Sequence, residues 1–146
     1  MCTAAERSGV QNVSTILSVG EGQLAVSGFT VGVDRCLLLI RVVGPSLQQF
    51  TTRACLPDPA FIIRKGLTEI YRNDDWQQGP ESVSVKEMRQ IESKVGAFAL
   101  AEGGFDAAVL MGFAKGGYTI SIEPSLKNPD LAQSGIVLVE VYVVSM

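Results

Sequence analysis

The chain predicts a mainly β protein: an antiparallel sandwich of two sheets with one short α-helix around residues 84–95. Three observations carry that expectation. Two β-branched apolar runs, Cys36 to Val43 and Ile136 to Val144, have the length and composition of central strands packed on both faces. Turn signals built from Gly, Pro, Asn and Asp recur at short intervals between further strand-like segments. A single stretch, Val85, Met88, Ile91 and Val95, repeats at helical spacing. About eight strands and one helix point to two packed sheets.

The elements follow in order. Val13 to Val19 and Gln23 to Val31 flank Gly20-Glu21-Gly22 and suggest a hairpin. The first long run ends at Gly44-Pro45, and proline suits the first turn of a helix, so Pro45 to Phe50 is expected to form a short helical turn. Two prolines in Leu56-Pro57-Asp58-Pro59 make a stiff corner. Ala60 to Arg64 and Glu69 to Arg72 suggest a second hairpin across Lys65-Gly66-Leu67. Ser84-Val85-Lys86-Glu87 has the form of a capping box, and Gly96 is placed to end the helix it starts. Lys86, Glu87, Arg89, Gln90 and Lys94 would form its solvated face. Phe105 to Phe113 and Tyr118 to Glu123 suggest a third hairpin across Ala114 to Gly117, and Pro124 to Ser134 a surface loop before the closing strand.

Length and composition bound the class. The 146 residues fit one domain, with 1–12 as a polar N-terminal extension and 13–146 as the sandwich. A 47% hydrophobic share with 18% charged residues is globular. The net charge of −3, with no stripe of Lys or Arg, argues against a nucleic-acid partner. No stretch approaches the ~20 apolar residues of a membrane-spanning helix, and Met1 to Arg7 lacks the charged and apolar regions of a signal peptide. Cys2, Cys36 and Cys55 lack zinc-site spacing; either Cys36 bridges Cys55, or the chain carries two buried thiols and one exposed one.

Each long run carries one charge at its middle, Arg41 and Glu140, and the two are opposite in sign. A lone charge in a central strand is costly. Arg41 is therefore expected either to fork onto Glu140 as a structural ion pair or to bond the Leu56-Pro57-Asp58 corner.

The chain has no histidine, so neither a Ser-His-Asp nor a Cys-His arrangement can be built. Asp74-Asp75 is the one carboxylate pair, but sequence neighbours usually diverge, and glycosidase carboxylates come from separate elements. The expectation is a protein without catalytic residues or a bound cofactor, save for one candidate metal. Asn73, Asp74 and Asp75 offer the hard oxygens that calcium prefers, and Trp76 beside them could stack on a sugar ring. The plainer alternative is a turn in which Asn and Asp bond nearby backbone and Trp76 covers the core edge.

Several segments then occur in a telling order: Ser27 to Gly32, Leu38 to Leu47, Leu56-Pro57-Asp58-Pro59, Asn73-Asp74-Asp75-Trp76, Val95-Gly96-Ala97-Phe98, Gly117-Tyr118-Thr119 and Val139-Glu140-Val141-Tyr142. With these, the chain from Val13 to Val144 resembles the β-sandwich module found near the C-termini of large secreted bacterial surface proteins, and is similar to bacterial pre-peptidase C-terminal domains. The resemblance implies a jelly-roll-like sandwich serving as a non-catalytic, extracellular accessory or adhesion module, with a protein or cell-surface glycan as partner. A second expectation is a homo-oligomeric filament subunit that assembles by edge-strand or N-terminal-strand exchange. A third is a calcium-dependent carbohydrate-binding module.

Overall fold

The computed structural model describes residues 12–20, 25–79 and 82–145. Six strands, β1 (Asn12–Val19), β2 (Ala25–Val43), β3 (Pro59–Lys65), β4 (Thr68–Asn73), β5 (Ala107–Pro124) and β6 (Gly135–Ser145), are joined by helix α1 (Val85–Val95) and a 3-10 turn at Pro45–Phe50. The pairing is antiparallel throughout, in the order β1-β6-β2-β5-β3-β4.

The two longest strands build both layers. The first part of β2 pairs with the last part of β5, Phe29 opposite Tyr118, and β5 continues the ladder to β3 and β4. Beyond an irregularity between Val31 and Arg35, the rest of β2 pairs with the start of β5 and with β6, which carries β1 on its far side. The ladder is thus continuous, and the layers form because its two halves close on a shared core. Val137, Val139 and Val141 of β6 lie in one apolar cluster with Phe61 and Ile63 of β3 and Tyr71 of β4. Phe29 stacks on Tyr118 at 5.0 Å and meets Phe113 edge-on at 5.3 Å, filling this core with aromatic surface.

The half containing β6 is buried on its other face too. Strand alternation sends Leu38, Ile40 and Val42 into the shared core, and Leu39 and Val43 into a second cluster with Trp76, Met88, Ile91, Leu100 and Tyr142. This explains why the central runs lack alternation: both faces are covered. Helix α1 supplies the cover. Its start is fixed by Ser84, whose hydroxyl accepts from the Glu87 N–H at 3.1 Å, and its end by Gly96 at φ 78°.

Four local expectations are corrected. Val13 to Val19 does not form a hairpin with the next strand; β1 pairs with β6, at the opposite end of the chain. Residues 25–31 and 36–43 belong to one strand, because the ladder to β5 tolerates the irregularity between them; Gln23 and Leu24 lie outside the described residues. Residues 107–113 and 118–123 are likewise one strand, which starts at Ala107 rather than Phe105, with Gly116 and Gly117 inside the ladder opposite Val31 and Thr30 rather than at a reversal. Cys55 is a free, buried thiol, so no Cys36–Cys55 bridge exists. Cys36 is disulfide-bonded, so Cys55 alone fits the buried-thiol alternative, and Cys2 lies outside the described residues. The expected extension 1–12 also lies outside them, except that Asn12 opens β1. The β3–β4 hairpin, the 3-10 turn, the helix and the closing strand stand where the sequence places them.

Candidate functional site

Two polar constellations stand out against the apolar layers. The first is centred on Arg41, which lies opposite Glu140 in the β2–β6 register. Arg41 Nε donates to Glu140 Oε1 at 2.9 Å, and Nη2 lies 2.7 Å from the same oxygen. Nη1 reaches Glu92 Oε2 at 3.2 Å and the Phe98 carbonyl at 2.6 Å. Glu92 also takes Arg89 Nη1 at 2.7 Å and the Leu100 N–H at 2.9 Å, while the Tyr142 hydroxyl donates to Glu140 Oε2. Burial and the Glu140 carboxylate together push the Tyr142 phenol well above its ordinary value. Two arginines balance two glutamates, so the buried assembly is neutral and ties α1 and the following loop to the sheet. Arg41 makes no bond to the Leu56-Pro57-Asp58 corner. The charged groups here pair with one another, Arg41 Nη2 through its charge contact with Glu140 alone, which describes a clamp rather than a ligand site.

The second constellation lies at one end of β3, β4 and β5. The stiff corner is pinned by Leu56 N–H to Ile136 O at 3.0 Å and by Ser125 N–H to Asp58 O at 2.8 Å, which sets Asp58 at the foot of β3. Asp74 and Asp75 follow β4, whose last residue Asn73 pairs with Phe61. Carboxylate oxygens of Asp58, Asp74 and Asp75 all lie within 4.8 Å of one another. Asp58 Oδ2 accepts from the Asn128 amide, and Asp74 Oδ2 from the Ser125 hydroxyl at 2.5 Å. Their Oδ1 atoms, with Oδ1 of Asp75, are buried and carry no hydrogen bond. Burial first, and then the neighbouring carboxylates, raise Asp58 to about 6; Asp75 is raised by the same causes. A cleft of about 430 Å³ opens beside them, lined by Ile62, Arg72, Glu123, Leu126 and Lys127 among others.

The expected metal set is only partly brought together. Asp74 and Asp75 converge, but Asn73 does not join them: its amide donates to the Asp75 and Gln78 carbonyls, and its oxygen accepts from the Ala108 N–H. Asp58 takes the place of Asn73, from a segment 15 residues upstream of Asn73. Its position between two prolines was the available signal, since a carboxylate on so rigid a corner has a fixed direction. Trp76 is fully buried and donates its indole N–H to the Ala101 carbonyl at 3.2 Å, so it presents no face on which a sugar could stack. Asp106, which carried no expectation, is a fully buried pin for the 3-10 turn: it accepts from the Gly44 and Ser46 N–H groups and from the Ser46 hydroxyl.

No family model matches the chain, and no curated protein matches it. Among solved structures, the chain is similar over 90% of its length to the crystal structure of the pre-peptidase C-terminal domain of a collagenase from Bacillus anthracis, covering 88% of that chain at 10% identity with a TM-score of 0.48.

Proposed function

We propose that the chain is a non-catalytic accessory module of an extracellular protein, working by binding rather than by turnover. The observation that carries this reading is how the ionisable groups are used. Buried Arg41, Glu92 and Glu140 and the partly exposed Arg89 neutralise one another inside the fold, Asp106 is consumed by the 3-10 turn, and no histidine exists to serve as a base. What converges at the surface is a carboxylate-lined cleft with a basic and apolar rim, suited to holding a ligand. Adhesion to a protein or cell-surface glycan is the finer form of the proposal. The burial of Trp76 turns a glycan-binding version away from aromatic stacking and toward polar contacts in the cleft.

Binding and turnover can be separated directly. The purified chain would be sedimented with insoluble cellulose, chitin, peptidoglycan and fibrillar protein, and assayed against chromogenic glycoside and peptide substrates from acid to neutral pH. Retention on one polymer without turnover is the expected result; turnover of any substrate, or retention on none, would overturn the reading.

A second reading, homomeric assembly, is favoured by one specific observation. Edge strand β1 carries no charge from Asn12 to Val19 and exposes Val13 and Ile16, whereas the other edge, β4, is guarded by the exposed Glu69–Arg72 ion pair. Light scattering of the wild type and Ile16→Lys distinguishes the two readings. A wild-type oligomer that Ile16→Lys returns to monomer supports assembly through β1, and a wild-type monomer at high concentration rejects it.

A further inference from the structure

We propose that Asp58, Asp74 and Asp75 form a calcium site at the mouth of the cleft. The proposal does not depend on the accessory-module reading, and its first support is the unmet valence of the cluster. Asp58 is 3% exposed and Asp75 is 8% exposed, yet each keeps a buried Oδ1 with no hydrogen-bond partner. A carboxylate oxygen removed from water without a donor is unfavourable, and Asp74, whose carboxylate belongs to the same cluster, also keeps a buried Oδ1 without a partner. A cation bound among them would satisfy all three at once.

The geometry and chemistry select the ion. The set holds oxygen donors alone, with neither histidine nor cysteine, which suits a hard cation. Oxygens opposed across a calcium ion are about 4.6–5.2 Å apart, against about 4.0–4.2 Å across magnesium. The three carboxylates lie within 4.8 Å of one another, close enough for one calcium ion to reach them all. The open cleft leaves room for waters to complete six to eight ligands. Each carboxylate is also braced by its second oxygen or by its backbone. Asp58 is tied to Asn128, Asp74 to Ser125, and the Asp75 carbonyl receives the Gln78 N–H at 3.0 Å. Lys127 Nζ stands 4.0 Å from Asp74 Oδ2, and this one half-exposed ammonium does not offset three carboxylates.

The bound ion would join two separate parts of the chain, the corner before β3 and the segment after β4, which Asn128 and Ser125 already tie to the turn after β5. It would thereby stiffen the cleft floor.

The test is calorimetric titration of the metal-free chain with CaCl2 or MgCl2, paired with thermal melts of the wild type, Asp58→Asn and Asp75→Asn. The expected result is one calcium per chain, with a midpoint raised by about 3–10 °C at 10 mM calcium for the millimolar to submillimolar affinity typical of extracellular sites. Magnesium should give a much smaller shift. Both variants should fold, by circular dichroism, and lose the response. No calcium heat in the folded wild type, an equal shift with magnesium, or a calcium shift retained in both variants would overturn the assignment. The wild-type titration decides the matter even if a variant fails to fold.

Discussion

Arg41 and Glu140 face each other across the β2–β6 ladder, with Nε to Oε1 at 2.9 Å and both side chains shut away from solvent. Removing one partner leaves the other charged and buried, which costs far more than the intact pair contributes. Glu140→Gln is expected to lower unfolding free energy by about 3 kcal/mol, because Glu92 and the Phe98 carbonyl still hold the guanidinium. Arg41→Met leaves Glu140 buried without a cationic partner and takes one of two from Glu92, which keeps Arg89, and should cost about 3–5 kcal/mol. Urea denaturation measures both. A smaller loss for Arg41→Met than for Glu140→Gln would contradict the clamp.

Asp106 gives a pH dependence with a definite sign. Burial raises its carboxyl above the ordinary 3.8, outweighing the lowering effect of its bonds to Ser46 and Gly44 and of nearby Arg41. The folded chain therefore holds this proton to higher pH than the unfolded chain does. The stability that Asp106 contributes is complete below the unfolded value and declines as pH rises through the folded one. The unfolding free energy of wild type minus that of Asp106→Asn should fall as pH rises above 3.8, then level off. A difference that grows with pH would contradict this.

Gly44 is held by space rather than by backbone conformation. A Cβ there would lie 2.1 Å from the Leu56 carbonyl oxygen, a backbone atom that cannot swing aside. Gly44→Ala is expected to cost about 1–3 kcal/mol, visible as a lower melting midpoint. A neutral result would show that the Leu56 corner is softer than described.

Trp76 belongs to the core, not to a ligand surface. Its fluorescence should be blue-shifted and protected from iodide, and Trp76→Phe should lose about 1–3 kcal/mol of stability through the emptied volume and the unpaired Ala101 carbonyl. Ready iodide quenching would place the indole at the surface instead.

What the sequence made legible follows from which interactions are local. Helix α1 is bounded by a cap and a glycine within its own span, and the β3–β4 hairpin by its turn, so both could be placed from neighbouring residues. The hairpin assigned to 105–123 failed because Gly116-Gly117 were absorbed into a long ladder, and the one assigned to 13–31 because β1 pairs with β6 instead, tertiary outcomes that no short window contains. The opposite charges on the two central runs suggested a pair, but the network around it needed Glu92, four residues after Met88 and hence on the buried side of α1. Counting it with the solvated side chains of the helix would hide the charge that completes the clamp. At the carboxylate cluster, Asp74 and Asp75 are neighbours and conspicuous, whereas Asp58 comes from another strand end. Asn73 spends its amide on backbone groups, and the two prolines around Asp58 are the one local sign that its carboxylate has a fixed direction.

The most direct measurement is a crystal structure of the chain grown in calcium chloride, with anomalous differences collected at long wavelength. The account predicts one anomalous peak about 2.3–2.6 Å from carboxylate oxygens of Asp58, Asp74 and Asp75. A calcium peak elsewhere with this cluster empty, or the three carboxylates turned away from one another, would contradict it.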